Sequence, residues 1–393
     1  MSCPYTGDDT GTTDTSTDTD NGTRGRIFRR GGKGDVLTRA DEGFFGPGSV
    51  TWKVWTFPTS ALHGFFRAVT IEHLDPDLVA AVDASGQVIK RMPVRYDRTM
   101  EYFAAVTFAD AQTVTRMSDI LMKVHDRSYG VNPVTGNDYE ANKPSSQLWI
   151  LVTAWHSILY TYEKMGPGKL SRDEENEYWS QMAIAAQFQP IDMDDVPRTR
   201  GEVQAYLDSW REKLSASEAA VHNISEILDA FENAFVDLPK PLRVIGRPFF
   251  RRSVIATYPH WMRGMAGLKQ SKAMDAAMFA LWKPILTVAN KFPSLLMAIV
   301  KRICPRAERY IAPAILGVPA ETPRVYTPEV ARRMFGNPKT PLEQREELLK
   351  RRAEGKGQKA YSHNHEDTIL EFKNAEKEET AAKAINSEEF NVG

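Results

Sequence analysis

Residues 93–107 (PVRYDRTMEYFAAVT) and 110–126 (DAQTVTRMSDILMKVHD) decide how this chain is built. In the second stretch Val114, Met117, Leu121 and Val124 recur at three- and four-residue steps, the period of a helix with one apolar face. Asp110 suits the N-cap, where a carboxylate accepts from the first free backbone N–H groups. Gly130 follows as a stop. In the first stretch Pro93 fits an opening turn, where the N–H it lacks has no partner. The pair predicts two consecutive helices, over 93–107 and 110–126.

The first of these helices carries two stripes. Tyr96, Met100 and Phe103 form an apolar one, while Arg95, Arg98, Thr99 and Tyr102 follow at i, i+3, i+4 and i+7. Asp97 and Glu101 supply a further polar sector, so part of one sector should be buried. His125 stands four residues after Leu121 and shares the apolar side of the second helix. By pattern alone His125 is either a core histidine held by a backbone carbonyl or a metal ligand. The Arg95–Tyr102 stripe is either a solvated basic edge or a set of cations and hydroxyls facing a cofactor.

Working outward, the helical period dominates. Thr59 precedes an apolar run through Leu62, Phe65, Phe66, Val69 and Ile71. Asp75-Pro76 restarts a helix that Gly86 stops. Pro144 opens a long segment to Gly166, and Ser171 with Glu174 forms a capping-box pattern. Thr199 and Glu202 mark another start, and a further helix is expected over 217–236. Gln87–Lys90 is the best short strand candidate. The reading is an all-α fold of helix-on-helix packing, with a folded domain over 41–336. Residues 1–40, rich in Thr, Asp and Gly with a cluster at Arg24, Arg26, Arg29 and Arg30, are expected to be disordered. So is most of 337–393, apart from a short helix through Leu342–Arg352.

A formal net charge of −1 over 393 residues gives no global pull toward nucleic acid. The two cysteines, Cys3 and Cys304, make no disulfide framework. No secretory signal opens the sequence, so a cytoplasmic location is expected. Residues 239–306 hold Lys240, Arg243, Arg247, Lys283, Lys291, Lys301 and other bases, with Asp275 as the single acid. Trp261, Phe279, Leu281, Trp282, Phe292 and Leu295 are interleaved with them. Lysines interrupt each apolar run too soon for a membrane span. This half is read either as core helices with solvated basic edges or as a face lying on anionic lipid. Some of its arginines could instead hold cofactor carboxylates. No nucleic-acid recognition module is visible.

The run Arg95–Thr99, Tyr102, Arg116 and Val124-His125 resembles a known family. So do Gly130, Gly136, Tyr139, Leu148-Trp149, Tyr162-Glu163, Tyr178-Trp179 and Pro197-Arg198-Thr199. Phe45–Trp52 (FGPGSVTW) looks like the family's opening. Together they are similar to the rubber oxygenases, which include latex-clearing proteins and the oxygenase of the mycophenolic acid pathway, over about residues 44–310.

The resemblance implies a globin-like helical core, heme b and oxidative attack on C=C bonds of isoprenoids with O2. It places His125 as the iron ligand, and Arg95, Arg98 and Thr99 across the ring. Arg98 stands where latex-clearing proteins carry lysine. Tyr102 is a candidate for the macrocycle rim, and His156 for a supporting donor or a buried structural histidine. Glu72 and Glu101 are the candidates for a base. The expected substrate is a small or lipid-dissolved isoprenoid-like molecule, reached in the cytoplasm or from a membrane's inner face. A heme carrier or sensor without turnover, and a lipid-surface helical protein without heme, are the alternatives. His63 and His260 read as ordinary packing, His222 in the late helix shows no pairing in the sequence pattern, and the His363–His365 pair is given no role.

Overall fold

The computed structural model describes residues 27–29, 35–84, 88–229 and 240–360, with backbone alone at 27–29, 35–37, 83–84, 88–95 and 242. The helices found among them are α1 (Val50–Trp55), α2 (Phe65–Glu72), α3 (Pro76–Ala84), α4 (Val88–Phe108), α5 (Ala111–His125), α6 (Pro144–Met165), α7 (Arg172–Ala186), α8 (Arg200–Ser209), α9 (Glu218–Asp229), α10 (Lys240–Ala256), α11 (His260–Met265), α12 (Lys272–Ala289), α13 (Pro293–Ile303), α14 (Glu308–Ile315), α15 (Pro328–Phe335) and α16 (Pro341–Ala353). A π-helical turn, Ser60–Gly64, leads into α2. Two short antiparallel hairpins complete the set: β1 (Ile27–Arg29) with β2 (Asp35–Leu37), and β3 (Tyr129–Val131) with β4 (Asp138–Glu140). The fold is all-α, as the periodicity requires.

Several local signals act as read. The Asp110 side chain accepts from Thr113 N at 2.8 Å and starts α5. Ser171 and Glu174 close a reciprocal capping box on α7, and Thr199 caps α8. The strand expected at Gln87–Lys90 is not found: Val88–Lys90 open α4, and residue 87 lies outside the described residues. Ile89, Met92 and Tyr96 keep a helical step, which carries the helix back past Pro93. The helix expected to reach residue 236 is described as far as Asp229, and 230–239 lie outside the described residues.

Helix α6 is apolar on nearly every side, and such a helix must be covered all round. Leu148, Trp149, Val152, Trp155 and Ile158 are fully buried in it. It packs against α2, α7, α8 and α12. The approach to the π-helical turn is close enough that a Cβ on Gly64 would meet Ile158 Cα at 2.9 Å. Trp155 joins Trp55 and Tyr178 at ring separations of 5.3 and 4.9 Å.

The turn between α4 and α5 is clamped from outside. Gly43 (φ +63°) lies so near the Ala109 carbonyl that a Cβ there would sit 2.2 Å from its oxygen. Only glycine meets both demands. Asp41 Oδ1 accepts from the N–H groups of Gly43 and Ala111, each at 2.8 Å. Trp52 Nε1 donates to Thr107 O at 2.8 Å. The packed body thus reaches back to Arg39, which is buried and bonded to Glu42 at 2.8 Å. At the other end α16 docks on the α5 region through polar contacts, Arg352 with Asp126 and Gln344 with Asp119.

Candidate active site

A tight turn makes α4 and α5 two arms of a hairpin, and one oxygen ties the arms together. Tyr102 Oη and Ser118 Oγ both donate to the carbonyl of Phe188, at 2.8 and 2.7 Å. One helical turn farther from the closed end, Arg98 and Thr99 stand half-buried on α4. On α5, Leu121 and His125 lie three and seven residues beyond Ser118, on the same side of the helix. The Arg95 side chain lies outside the described residues.

The buried seam of α5 runs differently from expectation. Ala111, Val114, Thr115, Ser118 and Met122 are buried, whereas Met117, Leu121 and Val124 are only half-buried. The reason is α15, which packs on the other flank of α5. Its C-cap, Gly336, approaches so closely that a Cβ would come within 2.4 Å of Thr115 Cγ2. The seam is rotated toward α15, and an apolar stripe ending on a half-buried imidazole stays partly open.

His125 closes α5 and is backed by amides. Gln147 Nε2 lies 3.4 Å from His125 Nδ1 and donates to Ala141 O at 2.6 Å. Gln147 Oε1 accepts from Gln189 Nε2 at 2.8 Å. The chain Gln189–Gln147 therefore turns an N–H toward Nδ1, which leaves Nε2 to carry the proton of the neutral ring. A metal on Nε2 would need Nδ1 to hold the proton and an oxygen to accept it. A turn of the Gln147 amide, with Gln189 following, would bring an oxygen to Nδ1 only with loss of the Gln147 bond to Ala141 O and movement of those two oxygens apart.

Among the described residues no group of three or more His, Cys, Asp or Glu gathers around a common point. A lone imidazole suits a metal whose other ligands travel with it, as in a porphyrin. The open apolar stripe beside His125 suits the flat apolar body of such a group.

The second polar sector of α4 is used elsewhere. Asp97 accepts from Arg306 N at 3.1 Å, and Glu101 is paired with Arg309 and with Arg306. Glu101 is thereby committed to structure. Glu72 differs: it is buried on α2, its carboxyl makes no hydrogen bond to a described residue, and burial pushes that carboxyl up to about 8. It lies two turns beyond Phe65, whose ring packs on Tyr96 and Phe103 of α4 at 5.0 and 5.8 Å. Tyr102 acts as a strut, since its hydroxyl is spent on Phe188, and burial raises its phenol far above the usual range.

His156 is not brought to His125. It lies nine residues after Gln147 on α6, half a turn round the helix. There it meets Arg67, whose Nη1 is 3.4 Å from His156 Nδ1 and 2.5 Å from Ser157 Oγ. Arg67 Nε donates to Thr257 O at 3.0 Å, and the guanidinium lies over the Tyr160 ring. Burial and the charges of Arg67 and Arg200 hold His156 well below the usual imidazole range. His63 is buried too, 3.0 Å from Ser253 Oγ and packed on Phe250 and Trp282. A cleft of about 420 Å³ between α1 and α14, lined by Arg39, Trp52, Lys53 and Glu174, holds none of the candidate residues.

Sequence reasoning missed Gln147, Gln189 and Phe188. Gln147 left a signal, a glutamine one turn into an otherwise apolar helix. Phe188 acts through its backbone and leaves none.

The class of this all-α body comes from its match to a known family: it is an oxidoreductase, an oxygenase. The family described as ER-bound oxygenase mpaB/B'/Rubber oxygenase, catalytic domain, matches residues 52–289. The chain belongs to that family. No curated protein and no solved structure matches it. The matched span runs from α1 to the end of α12 and contains both arms of the hairpin.

Proposed function

We propose that this oxygenase carries heme b with His125 as the protein ligand to iron. Its reaction would cleave or oxygenate a C=C bond of an apolar, isoprenoid-like substrate. The observation that carries the reading is the half-open apolar stripe of α5. It ends on His125, is backed by Gln147, and shares its hairpin with Arg98 and Thr99. When bound, heme supplies the activation of O2.

The chain's own residues do the rest. Arg98 keeps its proton at any working pH, so it offers fixed donors to negative charge developing on oxygen. It cannot serve as a neutral capping ligand in the way a lysine can. Thr99 adds a hydroxyl donor. Arg95 joins this set through its place on the same stripe. Met117, Leu121 and Val124 keep water from the reacting double bond, and Tyr102 offers its ring at the rim. Glu72 remains as the candidate for proton transfer: with its carboxyl pushed up to about 8 it is mostly protonated at neutral pH, and only its deprotonated fraction can act as a base. His156 is assigned no part in the reaction. The substrate would be dissolved in lipid, with O2 as co-substrate and a peripheral place on a membrane as the working location. No helix among the described residues is long and apolar enough to cross one.

The test is the visible spectrum of the purified chain after heme reconstitution, beside His125→Ala. The wild type should show a Soret band that the variant loses. Oxygen uptake with a panel of isoprenoids should then yield products with new carbonyl groups. A wild type that takes up no heme ends the reading. Heme uptake without oxygen consumption leaves a carrier or sensor.

A further inference from the structure

Helix α12 is apolar on two sides, and only one is covered. Met278 and Leu286 turn inward, and Trp282 stacks on Phe249 of α10 with ring centroids 5.4 Å apart. On the outer side Ala277, Leu281, Ile285 and Val288 follow the helical step, and the last three are 44, 45 and 54% exposed. Phe292 and Leu295 carry this surface into α13 at 55 and 52%. Ile245, one turn from Phe249 beside the same seam, is 68% exposed. Of the thirteen large apolar side chains exposed among the described residues, seven fall between Val244 and Leu295, so they are not scattered over the surface. A concentration of that kind marks an interaction surface.

Its charge selects the partner. Asp275, the one acid in 240–306, is buried and holds Arg263 at 2.8 and 3.0 Å. No carboxylate therefore stands exposed on this stretch. Lys269, Lys272, Lys283, Lys291 and Lys301 are all exposed, and none makes an ion pair with a described residue. A second copy of the chain would set lysines against lysines, which is repulsive. Nucleic acid would leave the apolar side chains with nothing to enter. An anionic bilayer satisfies both features, with phosphates for the lysines and an acyl boundary for the apolar groups.

We propose that the outer face of α12 and the start of α13 dock on an anionic lipid surface. The inference rests on the peripheral membrane location proposed above and assigns it a face, and it is independent of the oxygenase chemistry. Partition onto vesicles is measured without turnover, so its failure would leave that chemistry intact.

The experiment is co-sedimentation of the full chain with vesicles of phosphatidylcholine alone or mixed with phosphatidylglycerol. Binding should rise with the anionic fraction and weaken with added salt. Leu281→Asp with Ile285→Asp should lower partition at least about tenfold. Lys283→Ala and Lys291→Ala should each lower it about fivefold at low salt. These positions are exposed, so circular dichroism should match the wild type. Should a variant misfold, the salt and lipid dependence of the wild type still decides. Wild-type protein that stays in the supernatant with anionic vesicles overturns the proposal. So does a wild-type dimer, seen by sedimentation velocity, that the Leu281→Asp/Ile285→Asp variant dissociates.

Discussion

His125 is backed by Gln147 of α6, His156 lies on the opposite side of that same helix against Arg67 of α2, and the two environments differ in kind. His125 has the Gln147 amide 3.4 Å from its Nδ1 and sits at the end of a partly open apolar stripe. His156 is locked beside a buried guanidinium that hydrogen-bonds Ser157 and Thr257. A ring nitrogen near a fixed cation resists any further positive charge, iron included. A ring nitrogen facing an amide that can turn does not. Residue type alone did not separate these histidines; the charge of the nearest neighbour does.

The largest test of this contrast is a pair of alanine variants. His125→Ala should lower heme affinity by more than about a hundredfold, whereas His156→Ala should leave the Soret band in place. Next comes Arg67→Met, which strands the Thr257 carbonyl and removes a buried donor set. It should cost about 3 kcal/mol in denaturant unfolding while heme uptake persists.

The buried carboxyl of Glu72 gives a pH test of similar size. Its folded pKa of about 8 lies above the ordinary 4.5, so between those values the folded state binds a proton that the unfolded state has lost. Stability should fall as pH rises through that window, by on the order of a few kcal/mol, and Glu72→Gln should flatten the profile. His156 acts in the opposite sense. Its depressed pKa removes stability as pH drops below the ordinary imidazole value of 6.5. The smallest effect concerns the amide behind His125. Gln147→Leu should weaken heme binding about ten- to a hundredfold, and Gln147→Glu should strengthen it by accepting the Nδ1 proton. A titration of apo protein with hemin reads both.

Much of the fold was legible because helix caps and periods are local. Asp110, Ser171 and Thr199 start their helices for reasons contained within four residues. The face that α5 buries was not legible, since α15, more than two hundred residues away, rotates the seam toward Thr115. The strand expected at Gln87–Lys90 failed because a four-residue alternation could not compete with the helical step that continues through Tyr96. Within the candidate site, Arg98, Thr99 and His125 could be singled out by stripe and family pattern. Gln147 and Arg67 were detectable as polar residues inside apolar runs, at Gln147 in SSQLWI and Arg67 in FFRAV. The partners of these residues come from distant segments, and a single sequence does not pair them.

The short connector after α7 has a reach out of proportion to its length. Its Phe188 oxygen holds both arms of the hairpin, Gln189 orients the amide behind the imidazole, and the Gln187 carbonyl receives Arg332 from α15. Three walls are thus hung from a few consecutive peptide units. Lengthening or stiffening that link would shift α4, α5 and the Gln147 amide relative to one another while every side chain on them stayed the same. Diversification within such a scaffold can therefore begin in a segment that no survey of lining residues would sample.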